Sequence, residues 1–78
     1  MPRRPRHAMA EDVRSALAER GLVDDYAARP AYQQNDYLGW IERARRPATR
    51  LKRIEQMPDE LERGGVYMKM DHPPSAKP

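Results

Sequence analysis

The stretch Tyr37-Leu38-Gly39-Trp40-Ile41-Glu42-Arg43-Ala44-Arg45-Arg46-Pro47-Ala48-Thr49-Arg50-Leu51-Lys52-Arg53-Ile54 decides the fold. Its first part places Tyr37, Trp40, Ile41 and Ala44 on one helical face, with Leu38 beside them. Pro47 cannot continue that helix, because its ring lacks an N–H and disfavours helical geometry in the residue before it. It suits the first turn of a new helix, where a missing N–H loses nothing. The second part carries Leu51 and Ile54, and the stripe runs on through Leu61 with Met57 adjacent. Two amphipathic helices meeting at a proline elbow must bury their stripes against each other. That places Trp40 near the centre of the packing. Pro58 falls in mid-stripe, where it removes a hydrogen bond and crowds the preceding turn, so a kink or a restart is expected near Met57. Gly64-Gly65 ends the helix.

Upstream, Val13, Ala16, Leu17 and the stem of Arg20 recur at helical spacing, giving a first helix over about Ala10 to Arg20 with Gly21 after it as a stop. Leu22, Val23, Tyr26 and Ala27 make a shorter face ending near Arg29, and Pro30 suits the first position of the helix that carries Trp40. Gly39 lies inside that helix, where it costs about 1 kcal/mol relative to Ala; a closely crossing helix would account for it. Residues 10–63 are thus read as an all-α, three- to four-helix bundle. Five of the eight prolines lie in the first five or last six residues. Residues 1–9 are read as a basic, disordered tail and residues 64–78 as a flexible one. Val66–Met70 is the one segment that reads as a short extended arm.

At 78 residues the chain allows one small domain and excludes barrels and doubly wound sheets. Leu, Ile and Val number only ten and Phe is absent, so one Trp and the tyrosines must supply much of the buried area. With no Cys there is no disulfide and no thiolate site. No apolar run approaches the roughly 20 residues of a membrane helix, and no apolar segment follows the basic N-terminus as in a secretion signal, so no membrane insertion and a cytoplasmic location are expected.

The net charge of +3 suggests nucleic acid until it is placed. Residues 1–7 hold three arginines, whereas residues 8–63 hold ten basic and eleven acidic side chains. One block is basic: Arg43, Arg45, Arg46, Arg50, Lys52 and Arg53, with Glu42 the one acid among them. Helices joined at Arg46-Pro47 outline something like a helix-turn-helix, and arginines can hold phosphates and guanine edges. The connection lacks the usual turn glycine. For catalysis the sequence offers little. Its two serines and two histidines give no nucleophile–base pair on a rigid element, and Asp24-Asp25 point about 100° apart. Met68-x-Met70-x-His72 offers soft ligands for a Cu(I)-type ion but reads more simply as an arm. The expectation is a non-enzymatic chain without cofactor or metal that binds another protein, the alternative being nucleic acid held by the block from Arg43 to Arg53.

The same central stretch resembles the signature of the bacterial bacteriocin-protection family, the YdeI/OmpD-associated (OmdA) proteins. Tyr37, Trp40-Ile41, Ala44, Arg46-Pro47, Thr49-Arg50 and Arg53-Ile54 fall at the family's positions, and Ala16-Leu17 and Tyr26 fit its earlier steps. The resemblance covers about residues 11–63. It implies a small helical module linked by its family names to protection against bacteriocins and envelope stress, and it brings no catalytic residues. Arg29 stands where the family usually has a Ser, Ala48 replaces its usual acidic residue, and Pro58 interrupts its last helix.

The motif also reads physically. Trp40 and Ile41 pack the third helix against the last, with Tyr37 and Ile54 on the same seam, and Pro47 fixes the last helix's first turn. Thr49 bonds within that turn, and Arg50 reaches back to carbonyls ending the third helix, a favourable place for a cation. The alternative is that Arg46, Arg50 and Arg53, with Arg43 beside them, converge as an anion site for a partner.

Overall fold

A computed structural model of the chain describes residues 6–77. Four helices follow one another: α1 (Glu11–Glu19), α2 (Val23–Ala28), α3 (Ala31–Glu42) and α4 (Pro47–Arg63). A hairpin of β1 (Val66–Tyr67) and β2 (Met70–Asp71) comes next, then a 3-10 turn, Pro73–Ser75. The strands are antiparallel, with Val66 opposite Asp71 and Tyr67 opposite Met70. The fold is therefore mostly helical, and all-α only approximately.

α4 lies against all the other elements of the core. Its buried stripe of Ile54, Met57, Pro58 and Leu61 meets Val13 and Leu17 of α1, Tyr26 of α2, and Tyr37, Leu38 and Ile41 of α3. α1 and α4 run parallel: Asp12 near the start of α1 pairs with Arg50 near the start of α4, and Arg20 after α1 pairs with Asp59 and Glu62 near the end of α4. The helix starts are uncapped by side chains, so α4 relies on Pro47 at its first position.

Several expectations change. α4 passes through Pro58 without a restart; the ring is itself buried and fills the apolar slot that the stripe requires there. Pro30 sits one residue outside α3 and accepts the Gln33 and Gln34 N–H groups on its carbonyl. Trp40 is only half-buried at the edge of the core, and Tyr37, 0% exposed, holds the centre. The reason is angular: the inward row of α3 is Gln33, Tyr37 and Ile41, each four residues apart, and Trp40 stands to one side of it. Leu51, expected on the stripe of α4, is 57% exposed.

Gly39 is explained by the chain's own N-terminal segment instead of a helix. A Cβ at Gly39 would stand 2.7 Å from His7 Nε2. His7 is tied there by its N–H to Asn35 Oδ1 (2.8 Å) and by Nδ1 to Glu42 Oε2 (2.9 Å), while Met9 packs on the core. Of the tail read over residues 1–9, residues 1–5 lie outside the described residues, and His7 and Met9 are docked.

The segment 64–78, read as a flexible tail, is also built into the fold as far as residue 77. Gly64, at φ 72°, ends α4. The chain then turns back so closely that a Cβ there would meet Lys77 Cγ at 2.6 Å. Lys77 Nζ reaches Asp25 of α2 at 3.1 Å.

Candidate functional site

The elbow between α3 and α4 is closed by Arg53, not by Arg50. Arg53 Nη1 donates to the Trp40 carbonyl (2.6 Å), and its guanidinium lies 5.1 Å from the centre of the Trp40 ring. A cation there meets both the carbonyl end of α3 and an aromatic face. Arg50 instead crosses to α1, donating from Nε to Asp12 Oδ2 (2.8 Å) and from Nη2 to Asp12 Oδ1 (2.9 Å). That bidentate bond holds the Asp12 carboxyl below its ordinary value against the opposing effect of burial, and it raises Arg50. Thr49 is half-buried in the first turn. Ile41 and Ile54 are both buried in the core beside Tyr37.

The predicted anion site is accordingly dispersed. Arg50 turns to α1, Arg53 turns to α3, and Arg46 faces solvent. Arg43, Arg45 and Arg46 are exposed, and their side chains make no hydrogen bond or ion pair among the described residues. The exposed cations of the block without a side-chain partner are therefore Arg43, Arg45 and Arg46 at the elbow and Lys52 on α4, and not the whole block from Arg43 to Arg53.

Beside it runs a shallow groove of about 460 Å³ between α1 and α4, lined by Ser15, Ala16, Glu19, Pro47, Leu51 and Ile54 together with the Asp12–Arg50 pair. Leu51 stands at its lip. The exposed face of α4 continues from it as Ala48, Leu51, Lys52, Glu55, Asp59 and Glu62, which share one side of the helix.

A buried polar network, which the sequence reading missed, fixes the opposite side of the bundle. Glu60 is 6% exposed. Its Oε1 accepts the Tyr37 hydroxyl (2.5 Å) and the Met68 N–H (2.8 Å), and its Oε2 accepts the Lys69 N–H (2.8 Å) and Gln56 Nε2 (3.2 Å). Burial, then the Glu60 bond, pushes the Tyr37 hydroxyl well above its usual range. Met68 and Lys69 have φ of 50° and 63°, the left-handed pair that a tight hairpin turn demands and that Asn-Gly ordinarily supplies. Glu60 thus holds a strained turn by both of its N–H groups. Arg29, also 6% exposed, donates to the Val66 carbonyl (2.7 Å), to the Glu60 carbonyl (3.2 Å) and to Gln33 Oε1 (3.3 Å). Tyr67 donates to Asp36 Oδ2 (2.7 Å) and stacks edge-on to Tyr37 and Tyr32. The signal available in the sequence was Glu60 itself, a carboxylate set between Met57 and Leu61 on the apolar stripe.

This docking separates the soft ligands of the arm. Met68 packs on the core while Met70 is exposed on β2. The His72 ring is held by Ser75, whose Oγ lies 2.8 Å from Nδ1, donates to the His72 carbonyl (3.0 Å) and accepts the Gly65 N–H (3.2 Å). That bonding ties the last turn to the end of α4. Among the described residues no group of three or more His, Asp or Glu side chains is placed to hold a metal ion, and no helix is long and apolar enough to cross a membrane.

Residues 7–64 match the model of the family described as Bacteriocin-protection, YdeI or OmpD-Associated. The chain belongs to this family. A search of the curated proteins and a search of the solved structures each return no match. The match begins at His7, the residue seated against Gly39, and ends at Gly64, which closes α4. The signature of this YdeI/OmpD-associated chain is structural in Tyr37, Ile41, Pro47, Arg50, Arg53 and Ile54, each of which builds the core or a helix junction. Arg29, where the family usually has a Ser, works here as the link between α3, α4 and the hairpin.

Proposed function

We propose that the chain is a non-catalytic, cytoplasmic protein-interaction module whose contact surface is the groove between α1 and α4 with the exposed face of α4. One observation carries the reading: Leu51, 57% exposed, stands on a helix whose other large apolar residues are buried, at the lip of a groove that Ala16, Pro47 and Ile54 line. A rigidly mounted apolar side chain ringed by charge is the anatomy of a protein contact. Protection against bacteriocins or envelope stress, as the family description suggests, would follow from holding a partner and not from turnover. The second reading, nucleic-acid binding, is favoured by the unpaired Arg43, Arg45 and Arg46. Against it, most other arginines of the helices are internally bonded.

Capture from a bacterial lysate by the immobilised chain, at low and high salt, separates the two. A protein contact survives high salt and is lost in Leu51→Glu. Binding to phosphates falls steeply with salt, survives Leu51→Glu and is lost when Arg43, Arg45 and Arg46 are changed together to Gln. Retention of the same proteins by Leu51→Glu and by the wild type refutes the interaction surface.

A further inference from the structure

We propose that the exposed face of α4 pairs with a second copy of this chain, antiparallel, about a twofold axis crossing α4 between Leu51 and Glu55. The proposal rests on reading the chain as an interaction module, and it names the partner. Charge order along the helix is what selects that partner. Arg45 and Arg46, in the elbow just before α4, and Lys52 on the face make its first end basic, and Glu55, Asp59 and Glu62 make its second end acidic. All six are exposed. A parallel copy sets like charges together, whereas a reversed copy sets each basic end against an acidic one.

With the axis between Leu51 and Glu55, Lys52 of each copy stands opposite Glu55 of the other. Arg45 and Arg46 approach Asp59 and Glu62 of the second copy, which keep their bonds to Arg20 on the flank. The side chains of Lys52 and Glu55 have no other hydrogen bond or ion pair among the described residues, so the pairing completes two groups and disrupts none. The two Leu51 side chains come together near the axis with Ala48 beside them, covering apolar surface that the monomer leaves in water. Reversed helices also set their dipoles head to tail. Because the contact is isologous it closes at two copies and does not propagate. A nucleic acid strand laid along the same face would meet Glu55, Asp59 and Glu62 instead.

Sedimentation of the full chain over a concentration series up to about 1 mM tests this. The expected mass rises from that of the 9.1 kDa chain to twice it. Lys52→Glu and Glu55→Lys each weaken association by about tenfold or more, and the double exchange Lys52→Glu/Glu55→Lys restores it. Leu51→Glu abolishes it. These positions are exposed, and circular dichroism melts confirm that each variant folds. A constant monomer mass, or a double exchange that fails to restore association, overturns the self-pairing. The capture experiment tells that failure from the wider one. If the chain is monomeric yet Leu51→Glu loses its captured protein, only the self-pairing falls; if capture is unchanged, both readings fall.

Discussion

Glu60→Gln is the most informative single perturbation of this fold. The amide has the shape of the carboxylate, so no cavity opens and only the hydrogen bonding changes. Glu60 accepts four bonds, two from side chains and two from the N–H groups of the Met68-Lys69 turn. Gln offers one oxygen and one NH2. Whichever way that amide is turned, one of the two turn N–H groups faces a donor. The loss is at least one hydrogen bond to a buried charge, worth about 1.5–3 kcal/mol, with some weakening of the rest. An overall cost of about 2–4 kcal/mol is expected. At about 0.05–0.15 kcal/mol per residue that is a large share of the stability of a chain this short. The melting temperature should fall by about 10 °C or more, since each kcal/mol moves a small domain by about 4–8 °C.

The assay is a thermal melt followed by far-ultraviolet circular dichroism, with amide hydrogen exchange read at Met68 and Lys69. One of those two amides should lose its protection at temperatures where the helices are still folded, because the hairpin leaves before the bundle melts. A melting temperature within about 2 °C of wild type, with both amides still protected, would refute the claim that Glu60 holds the turn.

Lys69→Gly should stabilise the chain by up to about 1 kcal/mol, because Lys69 sits at φ 63° with its side chain exposed and glycine adopts that backbone freely; chemical denaturation checks the sign, and a destabilised variant counts against it. Arg50→Gln should cost about 0.5–1 kcal/mol at neutral pH, as expected for a well-formed but partly exposed ion pair. Because Arg50 depresses Asp12, that contribution is present above the ordinary carboxylate value of 3.8 and disappears as pH falls below it, so wild-type and variant stabilities should converge in acid. Gly39→Ala gains about 1 kcal/mol of helix propensity but places a methyl 2.7 Å from His7 Nε2. It should expel the His7 ring and speed exchange of the His7 amide now bonded to Asn35, and an unchanged exchange rate at that amide would contradict the seating.

The helices themselves were legible in the sequence. The spacing of Val13, Ala16 and Leu17, the elbow at Pro47 and the stop at Gly64 each correspond to an observed helix body or boundary. These are local effects: apolar periodicity and the lost N–H of proline act within a turn or two of the chain. What the tertiary structure decided is which neighbour each face meets. Periodicity put Leu51 and Trp40 on apolar stripes, yet α1 covers only part of the face of α4, which leaves Leu51 in solvent, and Tyr37 outranks Trp40 at the centre. Arg50 and Arg53 are near-identical in sequence context, but three residues along a helix turn them toward α1 and α3 respectively, so one closes a helix pair and the other closes the elbow.

The last segment shows the same division. A two-residue turn of Met68-Lys69 carries none of the residues that favour it, and nothing local would fold it. A carboxylate eight residues upstream, aligned by α4 and the Tyr37 hydroxyl, supplies the missing bonds. The sequence determined where the helices are because helix formation is a near-neighbour property; the hairpin, the seat of His7 and the exposed face of α4 depend on groups brought together from distant parts of the chain, and only the assembled fold sets those distances.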